Sequence, residues 1–171
     1  AKDIFRNKIK FAYQSITEDQ RALIAEAGYD LPTPTNDKDN GYVFNNGSSI
    51  KVSVSYRGGT IQSLHVSEFG KICRKYPDKA KEIVTGAFEA VGLDGDITIE
   101  STAEGREGYF YDYCANSRKQ KQPSQLDFKF HFFSWWLRPE YEIEGDISGA
   151  LADYFSELEG KHGIMLNDRK K

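Results

Sequence analysis

Beyond residue 60, short strand-like runs alternate with longer segments that have helical periodicity, and this alternation most constrains the fold. Residues 63–67 and 96–100 are predicted to be strands, and residues 77–91 and 107–118 are predicted to be helices. Strands that alternate with helices are typical of a parallel sheet, because a parallel pair needs a long crossover connection. The sequence therefore predicts an α/β fold in which the two strands are neighbours or nearly so.

The first 60 residues carry a different pattern. Apolar spacing predicts a helix over 2–15, and a Thr17-to-Gln20 capping box predicts a second helix that extends to about Ala27. Residues 30–40 contain two prolines among Asp, Asn and Thr and are predicted to be a loop. An Asn-Gly turn at 45–47 predicts a hairpin that adds antiparallel character at one end of the sheet.

The last third of the chain is rich in aromatic residues. Residues 128–135 are predicted to form a strand, and residues 147–162 a final helix. The aromatic run from Phe128 to Trp136 has few basic neighbours, whereas base-stacking platforms combine aromatic side chains with a basic groove. The run is therefore predicted to lie mostly in a core or a domain interface.

Composition excludes several classes of protein. The chain is 39% hydrophobic, which argues against a disordered segment, and no apolar run approaches the length of a membrane span. The net charge of −3 and the absence of a basic stripe argue against a strong nucleic-acid binder. Cys73 and Cys114 are too few and too far apart for a disulfide framework or a zinc site, so both are predicted to be buried thiols.

The first candidate site is Ser67-Glu68, which directly follows the apolar strand at 63–67. Acidic residues at the carboxyl edge of a parallel sheet are where phosphate-loop ATPases bind Mg²⁺ and polarise the attacking water. The alternative is structural: Glu68 caps the turn that follows the strand.

Two further segments could contact a nucleotide. Ser101 and Thr102 follow the strand at 96–100, where hydroxyl groups can sense a phosphate; the alternative is that they cap the next helix. Arg57 precedes two glycines, and a guanidinium in such a loop is suited to phosphate oxygens; the alternative is a turn with a solvated arginine. We therefore interpret Arg57 as a cofactor-binding candidate.

Several well-known motifs are absent from the sequence. No segment matches the phosphate-binding loop G-x-x-x-x-G-K-[ST], the G-x-S-x-G elbow or the H-E-x-x-H metal motif. Glu100, Asp127 and Glu142 are acids near predicted strand ends, as a two-metal nuclease requires, but the sequence does not establish that they converge.

Four stretches follow one another in a specific order. They are a hairpin at 44–50, a turn at 57–60 that leads into the strand at 64–71, a strand-to-helix segment at 100–105 with Phe110-Tyr111, and an aromatic segment at 132–137 with Glu140-Tyr141. In this order and at these spacings the chain resembles the ATPase domain of the large terminase subunit of tailed bacteriophages. The likeness runs from about residue 1 to about residue 165.

The resemblance implies a partial P-loop core of the additional-strand, RecA-like type, with a parallel sheet plus a β-hairpin, lacking the Walker A strand and loop. Residues 1–171 would be one domain, with Walker A upstream and a nuclease domain downstream. Glu68 would orient the attacking water, and the coupling motif would be formed by Ser101, Thr102 and Ala103. Ser67 departs from the family, which usually has Asp there, and a neutral hydroxyl is a poor Mg²⁺ ligand.

The resemblance also implies cofactors and partners. The full-length protein would use ATP and Mg²⁺, whereas this chain alone is expected to bind neither tightly. The partners would be viral double-stranded DNA, the portal protein and the small terminase subunit, in the cytoplasm of the bacterial host, without a membrane and with oligomers only in the assembled motor. Two alternatives stay open: a non-catalytic scaffold or interaction module, and a degenerate prophage remnant.

Overall fold

The computed structural model describes residues 1–38, 40–56 and 58–167. The chain divides into two compact units, Ala1–Tyr113 and Cys114–Lys171, each of which is described by itself. The fold is mixed α/β, with a small parallel sheet and a separate antiparallel sheet.

Helices open the first unit, as the sequence predicts. Helical structure runs through α1 (Lys2–Ile4), wider π-helical turns (Phe5–Lys10) and α2 (Phe11–Gln14). Helix α3 (Glu18–Glu26) begins after Thr17, whose hydroxyl accepts from the Gln20 backbone N–H while the Gln20 side chain accepts from the Thr17 N–H. The capping box is therefore confirmed.

Three strands form the antiparallel sheet, in the order β1 (Pro34–Lys38), β2 (Gly41–Phe44) and β3 (Ser49–Lys51). The predicted hairpin is confirmed. The predicted loop over 30–40 is wrong, because β1 pairs with β2. The Thr35 hydroxyl donates to the Val43 carbonyl, and the Asn36 side-chain oxygen accepts from the Val43 N–H. These bonds compensate for a composition that is poor in strand formers.

The parallel sheet consists of β4 (Ile61–Val66) and β5 (Val91–Ile99), with Leu64 paired to Ile97 and Val66 to Ile99. This confirms the prediction that the two strands are neighbours. The connection contains α4 (Phe69–Lys75), α5 (Pro77–Glu82) and π-helical turns (Ile83–Phe88), and α6 (Gly108–Lys119) follows β5.

The hairpin does not extend this parallel sheet, which corrects the expectation that it adds antiparallel character at one end. The antiparallel strands form their own sheet with their own core. Phe5 is 1% exposed and packs with its ring centroid 5.0 Å from that of Tyr42, and Phe44 completes the cluster. The N-terminal helical segment therefore covers the antiparallel sheet.

A second core lies beneath the parallel pair. Phe69 is fully buried and is packed with Val66, Cys73 and Ala80. Phe88 and Phe110 flank the Phe69 ring, with centroids 5.9 Å and 6.5 Å away. Burying such an aromatic ring is among the largest single contributions that a small core receives.

The second unit contains a 3-10 turn (Trp135–Leu137) and α7 (Ala150–His162). The predicted strand at 128–135 is wrong, since the described part of this unit contains no strand. Phe132 is 66% exposed and Phe133 is 86% exposed, whereas Trp135 and Trp136 are partly buried, so the aromatic run does not lie mostly in a core. The expected domain interface stays a prediction. Aromatic residues favour strands, but a strand without a partner has no ladder to stabilise it.

Among the described residues, no helix combines the length and the apolar character that crossing a lipid bilayer requires.

Candidate functional site

The candidate site lies where β4 and β5 end. Because the two strands are parallel, their carboxyl ends meet at one edge of the sheet. The Glu100 N–H donates to the Val66 carbonyl at 3.2 Å, and the Phe69 N–H donates to the Glu100 carbonyl at 3.0 Å. Glu68 and Ser101 therefore follow adjacent strand ends, as the sequence predicts.

Glu68 has a strained backbone. Its φ of 56° and ψ of 36° lie in the left-handed region, and among the described residues it is the one non-glycine residue with positive φ. An L-residue pays about 1–2 kcal/mol for this conformation, and such strain concentrates at functional sites. The sharp turn carries the chain from β4 directly into α4, and it leaves Glu68 exposed.

The capping interpretation of Glu68 is wrong. The residue occupies the position before the first residue of α4, but its side chain makes no capping hydrogen bond to the helix. The carboxylate is thus not used to satisfy the free N–H groups of the helix. An exposed carboxylate on a strained turn is available to a ligand or to water.

Ser101 is partly buried, and its hydroxyl lies against helix α4. Its Oγ has no hydrogen-bond partner within the described structure, and the atom is excluded from solvent. Gly70 lies close to this hydroxyl: a Cβ added there would lie 2.9 Å from the Ser101 Oγ and 3.0 Å from Cδ1 of Phe110. A buried hydroxyl without a partner costs free energy, so its placement calls for an explanation beyond local stability.

The remaining predicted residues at this edge are exposed. Ser67 precedes Glu68 in the turn, and Thr102 and Ala103 follow Ser101 in the loop before α6. The alternative that Ser101 or Thr102 caps the next helix is wrong, because α6 begins only at Gly108. Thr102 is therefore the accessible hydroxyl of the loop, whereas the hydroxyl of Ser101 faces Gly70.

Charged groups flank the edge. The His65 Nε2 lies 3.6 Å from the Glu100 Oε1 across the two strands, and both side chains are about half exposed. On the loop, the Glu104 carboxylate accepts a hydrogen bond from the Arg74 guanidinium of α4 at 3.2 Å. Among the described residues, no cation lies within ion-pair distance of the Glu68 carboxylate, whereas Arg74 lies beside that of Glu104.

The three acids near predicted strand ends have separate local partners. Glu100 lies near His65, the Glu142 carboxylate accepts from Asn167, and Asp127 accepts from Ser124 and Gln120. The hydrogen bonds from Ser124, followed by that from Gln120, lower the pKa of Asp127. Within the part of the chain that the structure describes, no three His, Cys, Asp or Glu side chains are grouped to hold a metal ion.

Arg57, the predicted cofactor-binding residue, lies outside the described residues. Its place at the site therefore stays a prediction.

The sequence prediction did not include helix α4 or the contacts with the loop that it makes through Phe69, Gly70 and Arg74. A signal for this helix exists, since Phe69, Ile72 and Cys73 have helical spacing and Pro77 follows as a stop. Burial raises the pKa of the Cys73 thiol, which makes it a core residue rather than a nucleophile.

The arrangement provides an exposed carboxylate and an accessible hydroxyl on adjacent parallel strand ends. Such a carboxylate can orient a water molecule, and such a hydroxyl can donate to a phosphate oxygen. A scan against protein-family models matched none of them, and searches among curated proteins and among solved structures likewise found no match.

Proposed function

We propose that this chain is part of the ATP-driven motor that packages viral DNA into a capsid, within a phosphate-loop ATPase core. The observation that carries the proposal is the strained Glu68 at the carboxyl end of β4, beside the end of β5. Parallel strand ends of this kind hold the water-polarising acid and the phosphate-sensing residues of such ATPases. The resemblance of residues 64–71 and 100–105 to terminase motifs agrees with this assignment.

In this proposal Glu68 orients the water that attacks the γ-phosphate. The carboxylate is exposed and makes no capping hydrogen bond, so it keeps its acceptor capacity for a water proton. The strained turn fixes the direction in which the side chain leaves the backbone. A carboxylate held in this way supplies the acceptor that water activation needs.

In this proposal the loop after β5 senses the phosphate of the nucleotide. Thr102 is the exposed hydroxyl and is the one that would donate to a phosphate oxygen. Ser101 instead packs on α4, where it would link the state of the loop to the helix that begins after Glu68. Ser101, Thr102 and Ala103 would thus form a coupling segment between hydrolysis and movement.

Magnesium fits this edge poorly. Ser67 places a neutral hydroxyl where the terminase family usually has Asp, and Mg²⁺ prefers carboxylates together with phosphate oxygens and water. The described residues contain no group of three candidate ligands. No step proposed here therefore depends on a protein-bound metal ion.

The proposal needs a phosphate-binding loop that this sequence lacks. Without the backbone N–H groups and the lysine of such a loop, little holds the β- and γ-phosphates. We therefore propose that the loop lies on a longer protein that includes this chain. That protein would contact viral double-stranded DNA, the portal protein and the small terminase subunit in the cytoplasm of the bacterial host.

Calorimetry and hydrolysis assays test this proposal. We expect no micromolar ATP binding to the 171-residue chain, and we expect ATP hydrolysis by the longer protein that carries both the chain and the loop. A folded longer protein that hydrolyses no ATP would contradict the motor function and would favour a degenerate remnant. Micromolar ATP binding to the chain alone would contradict the proposal that ATP binding requires the phosphate-binding loop.

One observation favours a second candidate, a non-catalytic interaction module. In the second unit, two large apolar side chains are exposed, Phe133 by 86% and Leu137 by 67%. Exposed apolar side chains mark a contact surface where they form one contiguous patch. Under this alternative, Glu68→Gln would leave partner binding unchanged, whereas Phe133→Ser would weaken it.

A further inference from the structure

Helix α4 and the loop at 100–107 are joined at three successive points. The Phe69 N–H donates to the Glu100 carbonyl at 3.0 Å, and Gly70 lies against Ser101. One helical turn further along, an Arg74 guanidinium nitrogen lies 3.2 Å from an oxygen of Glu104. We refer to these three pairs as the α4–loop contact.

The Gly70–Ser101 pair of the α4–loop contact depends on the absence of a side chain at Gly70. A Cβ there would lie 2.9 Å from the Ser101 Oγ, so close that an atom would have to shift, and 3.2 Å from the Ser101 Cβ, which is a tight contact. Gly70 has no positive φ, so backbone conformation alone does not require glycine at this position. The requirement comes from the close approach of the loop.

The Arg74–Glu104 pair of the α4–loop contact is an ion pair that adds little to the stability of the fold. The Arg74 side chain is 63% exposed and that of Glu104 is 22% exposed, and ion pairs with this much solvent contact contribute little to stability. The pair nevertheless joins residues 30 apart in sequence. Gly70 and Arg74 are four residues apart in α4, so both lie on the same face of the helix.

We propose that Gly70 and Arg74 are positioning residues that fix the loop carrying Ser101–Ala103 relative to the Glu68 turn. Neither residue touches substrate in this proposal. Each acts by holding the loop on the helix that begins immediately after Glu68, so that a shift of the loop is transmitted to the turn. The inference rests on the proposed function, since it assigns these contacts to the route between phosphate sensing and water activation.

The test uses the 171-residue chain, without nucleotide, and follows backbone amide signals by two-dimensional NMR. Arg74→Gln removes one charge of the ion pair and keeps most of the side-chain length. We expect this variant to shift the amide signals of Thr102 and Ala103 and to raise the hydrogen-exchange rate of the Phe69 amide several-fold. The exchange should rise because the Phe69 N–H bonds to the first residue of the loop.

Two variants separate positioning from a general structural effect. Lys79→Gln is the matched control, because the Lys79–Glu82 pair has the same 3.2 Å distance but lies within α5; it should leave both readouts unchanged. Exchanging the charges, with Arg74→Glu and Glu104→Arg together, should restore the parental signals and exchange rate. Gly70→Ala should shift the same loop signals further.

Unchanged Thr102, Ala103 and Phe69 signals in Arg74→Gln would overturn the proposal, and so would failure of the charge exchange to restore them. Equal shifts in Lys79→Gln would overturn it as well. The experiment contains no ATP, so these outcomes do not depend on whether the longer protein is an ATPase. Conversely, a longer protein without ATPase activity would contradict the proposed function and leave the measured contacts intact.

Discussion

Glu68 is the residue on which the proposed function most depends. Its left-handed backbone, its missing capping bond and its exposure all follow from the way β4 turns into α4. A local stabilising role would use the side chain to satisfy helix N–H groups, and Glu68 does not do this. The strain therefore brings no capping benefit, and under the proposed function it holds the carboxylate in place for water activation.

The strain itself can be measured by comparing glycine and alanine at position 68. Glycine tolerates positive φ, so Glu68→Gly should be about 0.5–1 kcal/mol more stable than Glu68→Ala in urea denaturation. At Glu89, where φ is −65°, the order should reverse and alanine should be the more stable. If alanine is also the more stable at position 68, the left-handed conformation of Glu68 is contradicted.

At the scale of elements, short-range chemistry explains which parts of the fold the sequence could predict. The capping box at Thr17 and the Asn-Gly hairpin turn depend on neighbouring residues alone, and both are confirmed. Strand β1 depends on side-chain hydrogen bonds between Thr35, Asn36 and the Val43 backbone of β2, which a composition rich in Asn and Asp does not reveal. The aromatic run near Phe132 has strand propensity, but no partner strand meets it within the described residues.

The candidate site, like the fold, could be predicted from the sequence only in part. Parallel pairing predicts that Glu68 and Ser101 lie at one edge, because parallel strands end together. The positive φ of Glu68 and the burial of Ser101 against Gly70 arise from tertiary packing. The pattern of residues in one sequence does not reveal such close tertiary contacts.

Glycine positions test the strand assignments. A Cβ on Gly41 would lie 2.6 Å from the backbone carbonyl oxygen of Ile50, so Gly41→Ala should cost about 1–3 kcal/mol by forcing β2 and β3 apart. Gly92 in β5 has open space around its Cβ position, so Gly92→Ala should be neutral or stabilising by up to about 1 kcal/mol. Chemical denaturation of both variants measures the difference, and equal stabilities would contradict the register of the antiparallel sheet.

At the scale of the whole molecule, buried titratable groups predict how stability depends on pH. Burial raises the pKa of Cys73 and of Tyr113, so the folded state holds these protons more tightly than the unfolded state does. Above about pH 8.5, the ordinary thiol pKa, the unfolded chain loses protons that the folded chain keeps. The stability that these two groups contribute should therefore be fully present at lower pH. It should be lost as the pH rises through their raised pKa values in the folded state.

Urea denaturation at pH 7.5 and at pH 10 measures this dependence. Cys73→Ala removes one of the groups and should make the fall with pH shallower, although the variant is less stable at every pH because it leaves a cavity. Stability that stays level or rises between the two pH values would contradict the burial of both groups.

The central claim is that Glu68 activates water in an ATPase, and turnover by Glu68→Gln in the longer protein tests it most directly. The amide keeps the size of the side chain but accepts no proton, so turnover should fall by about 10²- to 10⁴-fold while ATP binding is retained. Glu89→Gln, an exposed glutamate away from the site, should turn over at the parental rate. A Glu68→Gln protein that hydrolyses ATP at the parental rate would contradict the account.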